Sequence, residues 1–380
     1  DEALIRTVTV LIIACPHALG LAIPLVVSLS TGLAARNGIL IKDRLALEKM
    51  RTIDTVLFDK TGTLTAGEHV VTDIAALDGD PDSLLAAAAA VESDSEHPLA
   101  RAIVRAAANR GVPSPTATDF ESMTGRGVTA TLDGRPVAVG GPSLLRELAL
   151  RSPEQLAATS ASWEERGAAV LYVVVDGEIH GAIALEDAVR AESRAAIHGL
   201  HARGLSVVMI TGDSQAVANH VAAELGVDEV HAEVLPEDKD ATVAELQNRG
   251  RTVAMVGDGV NDAPALARAD VGFASGAGTD VAIESAGVVL ASSDPRNVLS
   301  VITLSEASYR KMVQNLVWAA GYNVIAIPLA AGVLAPIGFV LPPAVGAALM
   351  SLSTIVVAAN AQLLRRLDLR PETITDAAAA

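Results

Sequence analysis

The stretch Thr55-Val56-Leu57-Phe58-Asp59-Lys60-Thr61-Gly62-Thr63-Leu64-Thr65 decides how this chain is read. Its first four residues are a short apolar run bounded by polar residues, the pattern of a buried parallel strand. Such a strand delivers the Asp59 carboxylate to its C-terminal end, where open α/β sheets place their chemistry. A lysine, a glycine and three hydroxyl residues follow at once. They offer a cation, hydrogen-bond donors and close backbone approach, which is what a phosphate group needs.

Three later segments repeat the theme. Thr211-Gly212-Asp213 follows the apolar run 205–210. Gly257-Asp258-Gly259-Val260-Asn261-Asp262-Ala263-Pro264 follows the run 252–256. Between them Lys239 sits in Leu235-Pro236-Glu237-Asp238-Lys239-Asp240. Three strand ends are thus expected to present Asp59, Thr211 and Asp258 or Asp262 to one point. In this order and combination the motifs resemble the phosphorylation domain of P-type ATPases, a branch of the haloacid-dehalogenase-like fold.

The 380 residues suffice for two or three domains, and a net charge of −17 with scattered Lys and Arg argues against a nucleic-acid partner. One cysteine, Cys15, excludes an intrachain disulfide framework. No Asp, Glu, Lys or Arg occurs between Arg6 and Arg36, nor between Lys311 and Arg365. A membrane span needs roughly 20 apolar residues. The first window fits one helix (4–35). The second fits two (312–335 and 338–364), joined by a hairpin containing Pro336, Gly338, Pro342 and Pro343. Arg36, Lys42, Arg44, Arg310, Lys311, Arg365 and Arg366 flank the spans on what the positive-inside tendency makes the cytoplasmic side. The expectation is a multi-pass protein of the cell membrane in contact with lipid, its middle region cytoplasmic. The last residues, 370–380, read as a disordered tail.

The middle region divides in two. Residues 45–67 and 186–305 carry the phosphate motifs. An insert, 68–185, has its own pattern: helices over 83–91 and 98–110, strands at 127–132, 136–139, 169–175 and 179–185, and turns at Asp133-Gly134 and Asp176-Gly177. It reads as a separate α/β domain. Ser95-Glu96-His97-Pro98-Leu99 opens a helix, Gly125-Arg126-Gly127 precedes a strand, and Gly140-Gly141 ends one. Together these resemble the nucleotide-binding domain of heavy-metal P-type ATPases. That resemblance implies that Glu92, His97, Gly125, Gly127 and Gly140 surround the adenine and ribose of ATP. Gly141 stands where the family often has Asn.

In the phosphate site, Asp59 is the expected nucleophile, forming an aspartyl phosphate. Lys60 and Lys239 neutralise phosphate oxygens, with Lys239 the direct contact by resemblance. Asp59, the Thr61 carbonyl and Asp258 are the expected Mg²⁺ ligands. Thr211 donates to the phosphate, Asn261 and Asp262 order their loop, and Asp213, by resemblance, lies toward the nucleotide.

Cys15-Pro16-His17 falls in the middle of the first span. Pro16 cannot donate to the Ile12 carbonyl, so the helix opens there. Freed backbone groups at membrane depth mark a cavity, and thiolate with imidazole suits copper or zinc. Asn315, Tyr322 and Asn323 share a helix face in the second span; Met350, Ser353 and Thr354 share one in the third, with Asn360 beyond. These spacings resemble the type IB P-type ATPases with a Cys-Pro-His site, the copper-exporting subgroup. The resemblance implies ATP-driven copper export, with Cys15, His17, Asn315, Tyr322, Asn323, Met350, Ser353 and Thr354 around the transported ion and a copper chaperone as a possible source of it. Silver or zinc as the cargo is an alternative, as are a membrane-tethered phosphatase and a non-catalytic metal sensor. The family's actuator motif Thr-Gly-Glu and an N-terminal Cys-x-x-Cys do not occur in these residues, so the chain reads as the C-terminal portion of a pump.

Overall fold

The structure, a computed structural model, describes residues 2–379 apart from 16, 114, 124 and 277, and side chains as far as 375. Pro16, the helix breaker of the sequence reading, therefore lies outside the described residues. Among the described residues there are thirteen strands: β1 (Ile39–Ile41), β2 (Thr55–Asp59), β3 (Thr65–Ala76), β4 (Thr118–Met123), β5 (Gly127–Leu132), β6 (Arg135–Gly140), β7 (Ala169–Val175), β8 (Glu178–Val189), β9 (Ser206–Ile210), β10 (Glu229–His231), β11 (Val253–Gly257), β12 (Val271–Ser275) and β13 (Val288–Leu290). The chain forms two units, one of Asp1–Val56, His198–Ser206 and Val243–Ala380, the other of Leu57–Ile197 and Val207–Thr242.

Seven strands make a sheet in the order β1-β13-β12-β11-β2-β9-β10. Strands β11, β12 and β13 run parallel, as do β9 and β10, while β1 closes the edge antiparallel to β13. Every residue of β2, β11, β12 and β13 is buried. That explains their unbroken apolar sequences, since a parallel strand covered on both faces has no polar face to show.

The other sheet is antiparallel throughout, β3-β8-β7-β6-β5-β4. It is also covered on both faces. Leu171, Val173 and Val175 of β7 pack with the helices Pro81–Glu92 and Pro98–Arg110, through Leu85, Ala88, Ala89 and Ile103. Val170, Tyr172 and Val174 point the other way, into Leu144, Leu156 and Trp163. The period-2 alternation thus feeds two cores from one strand. Both hairpin turns carry positive φ at Asp and Gly, 50° and 77° at Asp133-Gly134 and 51° and 80° at Asp176-Gly177. These are the Asp-Gly turns whose twist matches a hairpin. The edge strand β3 and its neighbour β8 extend the sheet to Thr65 and Val189, beyond the expected insert limits of 68 and 185. Polar residues such as Glu68, His69, Asp73 and Asp187 hide these ends from a search for apolar runs.

Among the described residues, three helical stretches are long and apolar enough to cross a membrane: Glu2–Arg36, Asn297–Ala331 and Pro343–Arg366. The first is not one rod but three pieces, Glu2–Ala14, His17–Ala22 and Pro24–Arg36. The second begins fifteen residues before the expected 312, because Val298, Leu299, Val301 and Leu304 are buried at its start rather than placed in an apolar span. These helices pack through small residues, with Ala18, Ala22, Ala319 and Val357 in one cluster and Ile13, Ala326, Ala330 and Leu341 in another. Gly346 admits this approach, since a Cβ there would meet Ile13 at 3.1 Å. Residues 370–380, expected as a disordered tail, instead include the helix Pro371–Ala379. Ile374 is buried, and the Thr375 hydroxyl donates to the Pro371 carbonyl at 3.0 Å.

Candidate functional site

Asp59 ends β2 with its side chain 8% exposed, and the Lys239 ammonium donates to its Oδ1 at 2.8 Å. Lys239 reaches it from the first residue of the helix Lys239–Asn248. A buried carboxylate of this kind stays ionised only where a cation offsets the lost hydration. The chain then turns sharply through 60–64, with Gly62 at φ 76°. The turn is tied from several sides. Arg190 donates to the carbonyls of Gly62 (3.0 Å) and Thr63 (3.1 Å), and the Ser193 hydroxyl to that of Leu64 (2.8 Å). The Thr65 hydroxyl lies 3.0 Å from the Lys60 carbonyl and 2.5 Å from Asp187 Oδ2. Thr61 is exposed at the tip of the turn and Thr63 is buried.

The Lys60 ammonium, expected on phosphate, lies 2.5 Å from Asp213 Oδ2. Asp213, expected toward the nucleotide, also accepts from the Thr211 hydroxyl (2.9 Å), and its backbone N–H donates back to that oxygen (3.1 Å). Lys60, Thr211 and Asp213 thus form one polar cluster. Arg190, Ser193, Asp187 and Thr65 escaped the sequence reading. Each lies in an unremarkable polar context, and only folding brings them round the loop.

In the other unit, the loop after β11 is built around Asp262, which is 1% exposed. Its Oδ2 accepts from the backbone N–H groups of Asp258 (3.1 Å) and Gly259 (2.9 Å). These two bonds tie the loop to the Asp262 carboxylate. Gly257 is required beside it, because a Cβ there would fall 2.7 Å from the Asp262 carboxyl carbon. Asp258 is half-buried and Asn261 exposed.

The six-stranded sheet carries a cavity of about 470 Å³ lined by Glu92, Ser95, His97, Gly125, Gly127, Gly140 and neighbours. All five residues expected around the nucleotide line it. Gly127, at φ 148°, pairs with Gly140 across β5 and β6. A Cβ on Gly127 would lie 2.1 Å from the Val139 carbonyl oxygen, and one on Gly140 2.2 Å from that of Arg126. His97 caps the helix Pro98–Arg110, its Nδ1 accepting from the Leu99 N–H at 3.2 Å. An Nδ1 that accepts leaves the neutral ring's proton on Nε2. Burial pushes the Glu92 carboxyl up to about 7, against a smaller opposing effect of its hydrogen bond with Ser95.

Among the helices, Cys15 and His17 are exposed and follow the end of the first helical piece. Tyr322, Asn323, Met350, Ser353 and Thr354 are half-buried. The Tyr322 hydroxyl points to the Gly346 carbonyl (3.5 Å), and that of Thr354 to the Met350 carbonyl (3.2 Å). Asn315 is fully buried and differently engaged. Its amide nitrogen donates to the Ala22 carbonyl (3.2 Å) at the second break of the first span. Its oxygen accepts from Asn360 (2.8 Å), whose own oxygen accepts from the Lys311 ammonium (2.9 Å). Asn315, expected around the transported ion, thus ties helices together through both ends of its amide.

Residues 53–270 match the model of the haloacid dehalogenase-like hydrolases. Over 96% of its length the chain is 52% identical to the copper-exporting P-type ATPase B of Archaeoglobus fulgidus, covering 52% of that protein. It is 49% identical over 96% of its length to a copper-transporting P-type ATPase of Rhizobium leguminosarum bv. viciae, covering 43% of it. The chain thus spans about half the length of the curated relatives it matches. Among solved structures it resembles a zinc-transporting PIB-type ATPase in an E2.Pi state, with TM-score 0.82 and 37% identity over 93% of this chain and 57% of that one. It also resembles the catalytic domain of a CPx-ATPase, CopB-B, with TM-score 0.53 and 29% identity over 74% of this chain and 98% of that one. A buried aspartate at the end of β2 with a lysine on its carboxylate, inside a region that matches the hydrolase model, places the chain in the haloacid dehalogenase-like hydrolase family.

Proposed function

We propose that this chain carries the phosphorylation, nucleotide-binding and transported-ion sites of a pump that exports copper across the membrane at the expense of ATP. The observation that carries the reading is the Asp59–Lys239 pair. Phosphoryl transfer demands little covalent chemistry of a protein beyond an in-line nucleophile and neutralised charge. Asp59 supplies the nucleophile. An Asp59 oxygen bonds to the γ-phosphorus of ATP, the bond to the β–γ bridging oxygen breaks, and ADP leaves with that electron pair. Lys239 keeps Asp59 ionised beforehand and neutralises phosphoryl oxygens during transfer. Thr211 exchanges its bond to Asp213 for one to the phosphoryl group. The Arg190 and Ser193 bonds hold the 60–64 turn so that the Thr61 carbonyl stays in place.

The residues expected to hold Mg²⁺, Asp59 and Asp258 through carboxylates and Thr61 through its carbonyl, are hard oxygen donors of the kind Mg²⁺ takes, and the bound ion would neutralise charge on the transferring group. ATP is taken up in the cavity at Glu92 and His97, with the glycines of β5 and β6 giving the base and ribose backbone to lie against. Cys15 and His17, at the break between helical pieces, supply the soft donors for copper, with Tyr322, Asn323, Met350, Ser353 and Thr354 as further candidates. The catalytic regions face the cytoplasm, where ATP is available.

The test is phosphorylation of Asp59→Asn. An amide cannot form an acyl phosphate, so radiolabelled ATP leaves no acid-stable label on the variant, while nucleotide binding stays within a factor of about two of the parent because the cavity is untouched. Label retained on the Asn variant would end the assignment of Asp59. In the intact pump, copper-stimulated ATP hydrolysis that survives Cys15→Ala would remove copper from the first span, and a response to Zn²⁺ or Ag⁺ above that to copper would change the cargo.

A further inference from the structure

A second cavity, about 390 Å³ and lined by Gly125, Arg126, Ser143, Arg146 and Glu147, adjoins the nucleotide cavity, with Gly125 and Arg126 lining both. The two differ in kind. The first offers Glu92, His97, apolar side chains and bare backbone; the second offers two guanidinium groups and one carboxylate. Gly125, at φ 72°, has nothing within 4 Å of where a Cβ would stand.

Both arginines are held in place. The Arg126 N–H donates to the Met123 carbonyl at 2.9 Å, and the Arg126 carbonyl lies where only a glycine at 140 admits it. Its guanidinium lies 2.9 Å from a Glu147 carboxylate oxygen. Arg146, one residue earlier on the same short helix as Glu147, donates to the Ser143 hydroxyl at 2.9 Å. Two cations face one anion, a surplus of one positive charge beside the nucleotide cavity.

Resting on the reading of the first cavity as a nucleotide site, we propose that the second receives the polyphosphate tail, with Arg126 and Arg146 binding its oxygens and Glu147 holding Arg126 until the tail displaces it. Guanidinium groups suit this role, since their planar donors match phosphate oxygens in pairs. Glu147 then acts as a competitor. It keeps Arg126 extended toward the cavity and sets a threshold that adenosine and AMP, with no long anionic tail, do not cross. Affinity should therefore rise with phosphate number, and the rise should depend on these three side chains alone.

The experiment is calorimetric titration of the full chain in detergent with adenosine, AMP, ADP and ATP, Mg²⁺ being chelated so that no turnover intervenes. Arg126→Gln and Arg146→Gln are each expected to weaken ATP about tenfold, ADP less and adenosine not at all, since a charged hydrogen bond is at stake. Arg126→Lys should retain part of the preference. Glu147→Gln should act in the opposite direction and tighten ATP by roughly two- to fivefold, the scale of an exposed ion pair. If both arginine variants keep the parent's ATP-to-adenosine ratio, or weaken all four ligands equally, the tail site is overturned while the nucleotide cavity stands. If Glu147→Gln weakens ATP, the competitor role falls. If neither ATP nor adenosine binds the parent chain, the nucleotide reading itself fails and takes this proposal with it.

Discussion

The phosphate loop and the nucleotide cavity belong to one unit and solve opposite problems. The loop after β2 is defined by side chains that are present: Asp59 is paired with Lys239, and the turn is tied by Arg190, Ser193 and Thr65. The cavity is defined by side chains that are missing, because Gly127 and Gly140 let β5 and β6 approach closer than any Cβ allows. Charge placed in a closed site needs many fixed partners. A planar base needs a slot with few. The difference teaches where each region is vulnerable: the loop to loss of a charge, the cavity to gain of a methyl group.

The sharpest way to break the comparison is therefore Gly127→Ala. The new Cβ would sit 2.1 Å from the Val139 oxygen, at a φ of 148° that L-residues rarely adopt. Strain plus displacement of β6 should cost roughly 2–4 kcal/mol. Gly125→Ala meets nothing within 4 Å and carries only the strain of φ 72°, about 1 kcal/mol. Trp163 lies buried in the same unit, and the chain's other tryptophan is Trp318. In a Trp318→Phe background, urea unfolding followed by fluorescence reads this region alone. Equal midpoints for the two alanine variants would show that strand approach does not define the cavity.

This contrast also explains what the sequence made legible. Motifs that carry charge stand out locally: Asp59, Lys239, Asp258 and Asp262 could be named from residue type and strand position. The apolar runs of β2, β7 and β11 announced two covered sheets. The glycines were legible as permission for close approach, though not the pairing of Gly127 with Gly140, which is a matter of register. Arg190, Ser193 and Asp187 were invisible, because they act on a loop more than a hundred residues earlier. Lys60 and Asp213 were visible, but their contact with each other was not. Their chemistry allows phosphate or nucleotide contact equally well, and only the fold shows that they pair with one another. The tail helix was missed because Ala-rich composition without apolar periodicity gives no sign of a packing partner.

Glu92 sharpens the comparison through pH. It is the one strongly buried carboxylate of the cavity, and it has Ser95 where Asp59 has a lysine. Its carboxyl is raised by burial to about 7 from an ordinary 4.5. Between these values the folded state holds a proton that the unfolded chain has released. Stability must then fall as pH rises from about 4.5 to about 7 and level off above. Glu92→Gln removes this dependence. The stability of the parent relative to the variant should decline with pH across that window, by at most about 1.4 kcal/mol per unit, read from the Trp163 transition between pH 4.5 and 8. A difference constant with pH would mean that Glu92 titrates as an ordinary surface carboxylate.

The smallest effect is expected among the membrane helices, where the same contrast recurs. Cys15 and His17 are exposed beside a helix break, whereas Asn315 is buried with both ends of its amide engaged, by the Ala22 carbonyl and by Asn360. Proline at position 24 and the break at Ile23 interrupt the backbone bonding of the first span. Asn315 satisfies a carbonyl there that would otherwise lack a donor from its own helix. Interhelical hydrogen bonds of this kind average about 0.6 kcal/mol and reach about 1.7. Asn315→Leu should therefore lower the melting temperature of the metal-free chain in detergent by only a few degrees, and Asn360→Leu by a similar amount. The double variant should cost less than the sum of the two, because both residues belong to one chain of bonds. Copper bound per chain should stay unchanged in all three. If Asn315→Leu instead abolishes copper binding while leaving the melting temperature untouched, Asn315 is a ligand and the chain from Lys311 to Ala22 is a property of the metal-free state alone.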